Sequence, residues 1–292
     1  MTITFRIVLK PDANEALARD PALAGALDLS AVAIELDHDD PKFHRLLEVT
    51  RDTRGTWLNP YMTFTAAETA AARFLQLQCR GKVLNETPKD NEQNRKIVDG
   101  LGFQPTRGKL LTIKLLDRIA ITKIAIAPNA IGCATDWTPE FIVPRGVADA
   151  FREEGLTGFE LKPVLDAKAG RPHADFFLLY SPSIMPEAER DATTIDQRET
   201  DAGGWRELGA LSYNFTGREK LHDFNRTAEN WGSNHLPFWI VSQRVREVVT
   251  RRRFKGWGYL PVLEKGTPLH QAYTRRWAEA LERVSVNPRN FF

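Results

Sequence analysis

Asp37-His38-Asp39-Asp40 is the densest group of side chains in this chain that could do chemistry. Three carboxylates and one imidazole suit a hard or borderline cation, or the acid and base of a proton-transfer site. The same residues also read as a helix start. An Asp at the N-cap followed by Pro41 at the first helical position satisfies an orphan backbone N–H and pre-sets φ. No distant second ligand group stands out in the sequence, so the capping reading leads, and folding without metal or any other cofactor is expected. The remaining histidines, His44, His173, His222, His235 and His270, are scattered. His222-Asp223 is an acid–base pair on paper, but such adjacency is common. The sequence has no GxSxG, no Gly-rich phosphate loop and no HExxH. Cys79 and Cys133 belong to no CxxC pair, which leaves buried reduced thiols in place of a zinc site or a disulfide framework. No residue is therefore assigned a catalytic, cofactor-binding or metal-binding role.

Any such side chains must be held by secondary structure, and there the chain writes one phrase twice. FIVPRGVADAFREEGLTGFELKPVL at 141–165 aligns without a gap to WIVSQRVREVVTRRRFKGWGYLPVL at 239–263. Ile142 meets Ile240, Val147 meets Val245, Gly158 meets Gly256, and Pro163-Val164-Leu165 meets Pro261-Val262-Leu263. Val147, Ala150 and Phe151 fall at i, i+3, i+4, as do Val245, Val248 and Val249, so each stretch predicts a helix burying one stripe. Ser242 is a good N-cap, and Pro144 suits the opening of the first helix. Gly155 can stop that helix in a left-handed conformation. Arg253 stands at the matching place, so that cap need not be shared. Pro163 and Pro261 are expected to end or edge the returning strands. The fold class that follows is α+β, with a duplicated strand–helix–strand unit in a pseudo-symmetric body.

Ahead of it, 1–128 reads as an N-terminal α+β part. Alternation at Ile3, Phe5, Ile7 and Leu9 predicts a first strand, AVAIEL at 31–36 a second, and Phe43, Leu46 and Leu47 a helix face. A helix-to-strand passage runs from Ala66 to Leu77, and further strands are expected at Leu110–Leu116 and Ile119–Ala127. The second part spans 129–292 and includes a loop-rich connector at 166–238. That connector carries Trp205, Arg206, Tyr213 and Trp231, which read either as core or as anchors of a binding surface. Arg251-Arg252-Arg253 reads as a cationic helix end, with a phosphate-binding role as the alternative, and joins those residues as a candidate partner-binding surface.

Lys plus Arg is 40 and Asp plus Glu is 38, a net charge of +2 that does not fit a dedicated nucleic-acid binder. The apolar-rich run LLTIKLLDRIAITKIAIAPNAIG is broken by Lys114, Asp117, Arg118 and Lys123, so no membrane span is expected. The N-terminus lacks the pattern of a signal peptide, and a cytosolic protein is expected.

Ile124-Ala125-Ile126, the Asp136-Trp137 pair and PEFIVPRGVADAFREEGLTGFELKPV resemble a segment of bacterial immunity-protein families of polymorphic toxin systems. These are the double-CXXCG-motif proteins and their relatives that lack the cysteines. The matching pieces are the strand Phe141-Ile142-Val143, the helix to Glu154 and the turn Gly155-Leu156-Thr157-Gly158-Phe159; Val241-Ser242-Gln243-Arg244 matches the helix start of the second stretch. The CXXCG pairs are absent here, and with them the ground for carrying over a zinc. The resemblance implies a non-enzymatic protein that binds a cognate protein toxin and holds it inactive by stoichiometric contact. Near-neutral charge disfavours a basic nuclease as that toxin. Two other readings stay open. One is an enzyme centred on Asp37–Asp40; the other is a structural adaptor using the repeated unit to dock a partner or form a homodimer.

Overall fold

The computed structural model describes residues 1–31, 33–51, 53, 56–83, 120–121, 124–133, 141–166, 168–189, 195–196, 206–207, 209–216, 221–229 and 237–284. In chain order the strands are β1 (Thr2–Leu9), β2 (Ile34–Asp37), β3 (Thr56–Thr63), β4 (Phe74–Cys79), β5 (Lys82–Val83), β6 (Ala120–Ile121), β7 (Gly132–Cys133), β8 (Phe141–Pro144), β9 (Glu160–Asp166), β10 (Arg171–Tyr180), β11 (Ile195–Asp196), β12 (Arg206–Glu207), β13 (Ser212–Tyr213), β14 (Phe224–Arg226), β15 (Trp239–Ser242) and β16 (Trp257–Glu264). The helices are α1 (Pro11–Arg19), α2 (Pro41–Val49), α3 (Ala66–Ala71), α4 (Arg145–Glu153), α5 (Gln243–Arg251) and α6 (Pro268–Val284). The class is α+β. The strand expected at Leu110–Leu116 lies outside the described residues, and among the described residues of Ile119–Ala127 the strand is Ala120–Ile121.

β1 lies between β2 and β3 in an antiparallel sheet, as its strict alternation requires. Ile3, Phe5 and Ile7 turn inward against Phe43 and Leu46 of α2 and Leu17 of α1. Phe5 stacks on Phe43 with ring centroids 4.7 Å apart. Asp40 is the N-cap of α2: its carboxylate accepts from Lys42 N at 2.8 Å, with Pro41 at the first turn. The long α6 closes this core with Tyr273, Trp277, Ala280 and Val284, and Arg276 donates to the Met1 carbonyl.

Both repeated stretches fold as strand–helix–strand: β8-α4-β9 and β15-α5-β16. Val147, Phe151, Val245 and Val249 are all buried. Neither pair of strands is adjacent. β10 lies between β8 and β9, and β4 lies between β15 and β16, each antiparallel to both neighbours. The matching extends outward. The order β7-β8-β10-β9-β6 in one sheet repeats as β14-β15-β4-β16-β13 in the other, with parallel pairing at β6–β9 and β13–β16; β5, parallel to β7, adds a sixth strand to the first sheet that the second does not match among the described residues. Register agrees too. Phe177 lies opposite Val143 and Pro163, and Leu75 lies opposite Val241 and Pro261.

The division at 128/129 does not hold in this architecture. β4 belongs to the same sheet as β15 and β16, while the C-terminal α6 packs on the N-terminal sheet. Backbone hydrogen bonding drives this, because the facing edges of β15 and β16 need a partner that the C-terminal segment does not supply. The prolines are also placed differently than expected. Pro163 and Pro261 sit inside their strands, and the outer neighbours begin pairing two residues later, at Leu165 and Leu263. The missing N–H therefore costs no ladder bond.

Both sheets turn one face to a shared core. Phe141, Val143, Trp239, Val241, Leu75 and Leu77 point into it with both helix stripes, and Phe141 meets Trp239 edge-on at 5.6 Å. The backbone contacts across this core are reciprocal. Phe224 N donates to Thr157 O at 3.0 Å, and Ile131 N donates to Lys255 O at 3.0 Å. A Cβ on Gly158 would fall 2.3 Å from Phe224 O, and one on Gly256 would fall 2.9 Å from Ile131 O; both residues have φ near +80°. Glycine is required at both crossings by approach and by conformation.

The helix stop is shared after all. Gly155 has φ 61° and Arg253 φ 56°, and the following amides close the same cap, Leu156 N to Phe151 O and Phe254 N to Val249 O. Ser242 does occupy the N-cap of α5, but its hydroxyl donates to Asp223 Oδ1 at 2.7 Å instead of capping. A left-handed conformation costs a non-glycine residue about 1 kcal/mol. Arg253→Gly should therefore raise the unfolding free energy by roughly 1 kcal/mol and Gly155→Ala should lower it by a similar amount. At Gly155 the new methyl meets only Arg244 Nη2 at 3.6 Å, an ordinary contact. Urea unfolding of the two variants checks the opposite signs.

Candidate functional site

β3 is an edge strand, paired to β1 alone among the described residues. Its TWLNPYMT sequence fits that place, because Pro60 would interrupt a central strand. Leu58 turns to the core, and Tyr61, across from Thr4, faces the other way with 38% of its surface exposed. Where β3 passes the five-stranded sheet, an open groove of about 380 Å³ is lined by Pro60, Tyr61, Met62, Gln78, Arg80 and Leu260.

Local chemistry shapes the groove walls. Tyr61 Oη donates to Glu35 Oε2 at 2.9 Å. Burial first, and then the bond and charge of Glu35, push the phenol above its ordinary value, so it stays a neutral donor. Arg80 lies across Gly258, where a Cβ would come 2.7 Å from its Nε. The absent side chain at Gly258 is what gives the guanidinium its bed. Gln78 and Leu260 complete a floor that is part polar and part apolar.

A second polar cluster lies where α4 and α5 end. Arg251 reaches Glu154 at 2.6 Å, and Arg252 reaches Glu154 at 2.9 Å and Glu153 at 3.1 Å. Hydrogen bonds from Arg251 and then Arg252 hold the Glu154 carboxyl below the usual glutamate range. Nearby, Asp223 accepts from Thr157 N at 2.9 Å and Ser242 Oγ at 2.7 Å, and pairs with Arg244 at 3.3 Å.

The residues singled out in the sequence part company here. Arg251 and Arg252 join the two strand–helix–strand elements to each other, and exposed Arg253 is the left-handed helix stop. Tyr213 is corrected to a core residue: it is fully buried and stacked on Phe215 at 5.7 Å, so it offers no surface to a partner. Arg206 has its backbone in β12, while its side chain, Trp205 and Trp231 lie outside the described residues. In the acidic run, Asp37 accepts from Thr4 Oγ1 at 2.6 Å, Asp40 caps α2, and His38 is buried. Tyr61, Met62 and Arg80 were passed over by sequence reasoning. A proline inside an alternating run, NPYMT, was the available sign of an edge strand.

No protein-family model matches this chain, and no curated protein matches it. Among the described residues no helix is long and apolar enough to cross a membrane.

A carboxylate held below its unfolded value stabilises the fold above that value, and loses the contribution as pH falls through the folded one. Glu154→Gln should thus narrow the gap to wild type in unfolding midpoint from about pH 5 downward. The same gap should shrink in high salt, because the cluster is largely exposed. Unfolding midpoints at several pH values check this.

Proposed function

We propose that this chain is an immunity-type protein that binds a cognate protein toxin in the cytosol and blocks it by stoichiometric contact, without a cofactor. One observation carries the reading: the groove between β3 and the five-stranded sheet, where Tyr61 and Arg80 stand beside Leu260. Aromatic and Arg side chains are enriched at protein interfaces, and a partly polar, partly apolar floor suits an anchor with satisfied edges. The resemblance of 141–165 to the immunity families gives the partner class. The matched register of the two sheets supports reading the two stretches as copies of one unit serving as a rigid scaffold.

The contact face thereby moves from the connector to the groove. In a titration against the toxin co-purified from the protein's own cell, protection should saturate at one equivalent. Arg80→Ala and Tyr61→Ala should each weaken binding by about 2 kcal/mol, roughly 30-fold. Unfolding curves establish that both variants fold. Protection at far below one equivalent would overturn blocking by contact, and unchanged affinity in both variants would remove the groove from the interface.

A further inference from the structure

The sequence places its two cysteines more than fifty residues apart, and the fold brings them together. Cys79 ends β4 opposite Trp257, in the five-stranded sheet. Cys133 ends β7 opposite Phe141, in the six-stranded sheet. The chains beside them touch: Arg80 N donates to Gly256 O at 2.8 Å, Ile131 N donates to Lys255 O, and a Cβ on Gly81 would fall 2.0 Å from Ile131 O. The two thiols share a hydrogen bond, and both belong to the central core.

The pair is asymmetric in the way thiol exchange needs. Cys79 is half-buried and so reachable, while Cys133 is only 9% exposed. The hydrogen bond from Cys133 and that from the Gly81 amide favour the thiolate at Cys79, against the opposing effect of burial. The matched place in the other sheet holds Ser181, whose hydroxyl donates to Phe224 O at 3.0 Å. The thiol pair bridges the two sheets at this one crossing and is not repeated at the matched one.

We propose that Cys79 and Cys133 form a redox pair, with Cys79 as the attacking thiol and Cys133 as the resolving one, closed by a small-molecule disulfide. The Cys79 thiolate attacks one sulfur of that disulfide, RSSR, forming Cys79–S–S–R and releasing one RS⁻. Cys133, as thiolate, then attacks the Cys79 sulfur, forming Cys79–S–S–Cys133 and releasing the second RS⁻. The two protein protons end on the two RSH released, and the two electrons reduce RSSR. The bond ties β4 to β7 across the two sheets. It also pins the segment from Gln78 to Arg80, the floor of the groove, and does not depend on what the groove binds.

The whole protein is incubated with glutathione disulfide, quenched with an alkylating agent and mapped by mass spectrometry. Both thiols should be lost together into a Cys79–Cys133 cross-linked peptide that reduced glutathione reverses. The oxidised form should melt roughly 5–10 °C higher, since the bond closes a long loop. Cys133→Ser should retain glutathione on Cys79, and Cys79→Ser should lose its remaining thiol at least about tenfold more slowly. Wild-type thiols that remain fully alkylatable, a cross-link between copies, or an adduct that forms on Cys133 first would each overturn the proposal.

Discussion

Two strands joined by a helix run parallel here with a gap one strand wide between them, and everything else follows from filling that gap. An empty gap would leave the facing N–H and C=O groups of both strands without partners inside the protein. In the first element β10 fills it by turning back directly from β9. In the second element the filler is β4, more than a hundred residues earlier in the chain. Binding β4 there ties the N-terminal sheet to the C-terminal one. It also puts Gln78 and Arg80 at the edge of β3, where they floor a groove, and carries Cys79 to Cys133.

The central core sets a second condition. Two strand–helix–strand elements facing each other across one core bring matched positions into contact. Phe141 meets Trp239 there, and Glu154 meets Arg252. Identical residues would serve for the aromatic contact but not for the ionic one, where like charges would repel. The chain resolves this by writing acid in one element, Glu153-Glu154, and base in the other, Arg251-Arg252. The sequence alignment alone made the arginines look like a surface patch, because charge swapped between matched positions has meaning only once the positions touch.

Conformation at the helix stops shows the same division of labour. Gly155 and Arg253 hold nearly equal φ, although only one of them prefers it. Reciprocal contacts on either side, through Thr157 and Lys255 backbones, hold the second turn to the shape of the first. Local preference pointed to different stops, and the packing of the two elements overrode it.

By itself the sequence determined what depends on near neighbours. Alternation at Ile3, Phe5 and Ile7, the Asp40-Pro41 start of α2 and the apolar stripes of α4 and α5 were all legible, because period and capping act within a few residues. Only the tertiary structure decided which strand fills each gap, that Tyr213 is core, that Arg251 and Arg252 face glutamates, and that β3, unremarked in the sequence, borders the groove. Those outcomes depend on pairing between distant segments. Strand pairing is set by hydrogen-bond edges and shared buried faces, and neither leaves a mark in the local pattern of residues.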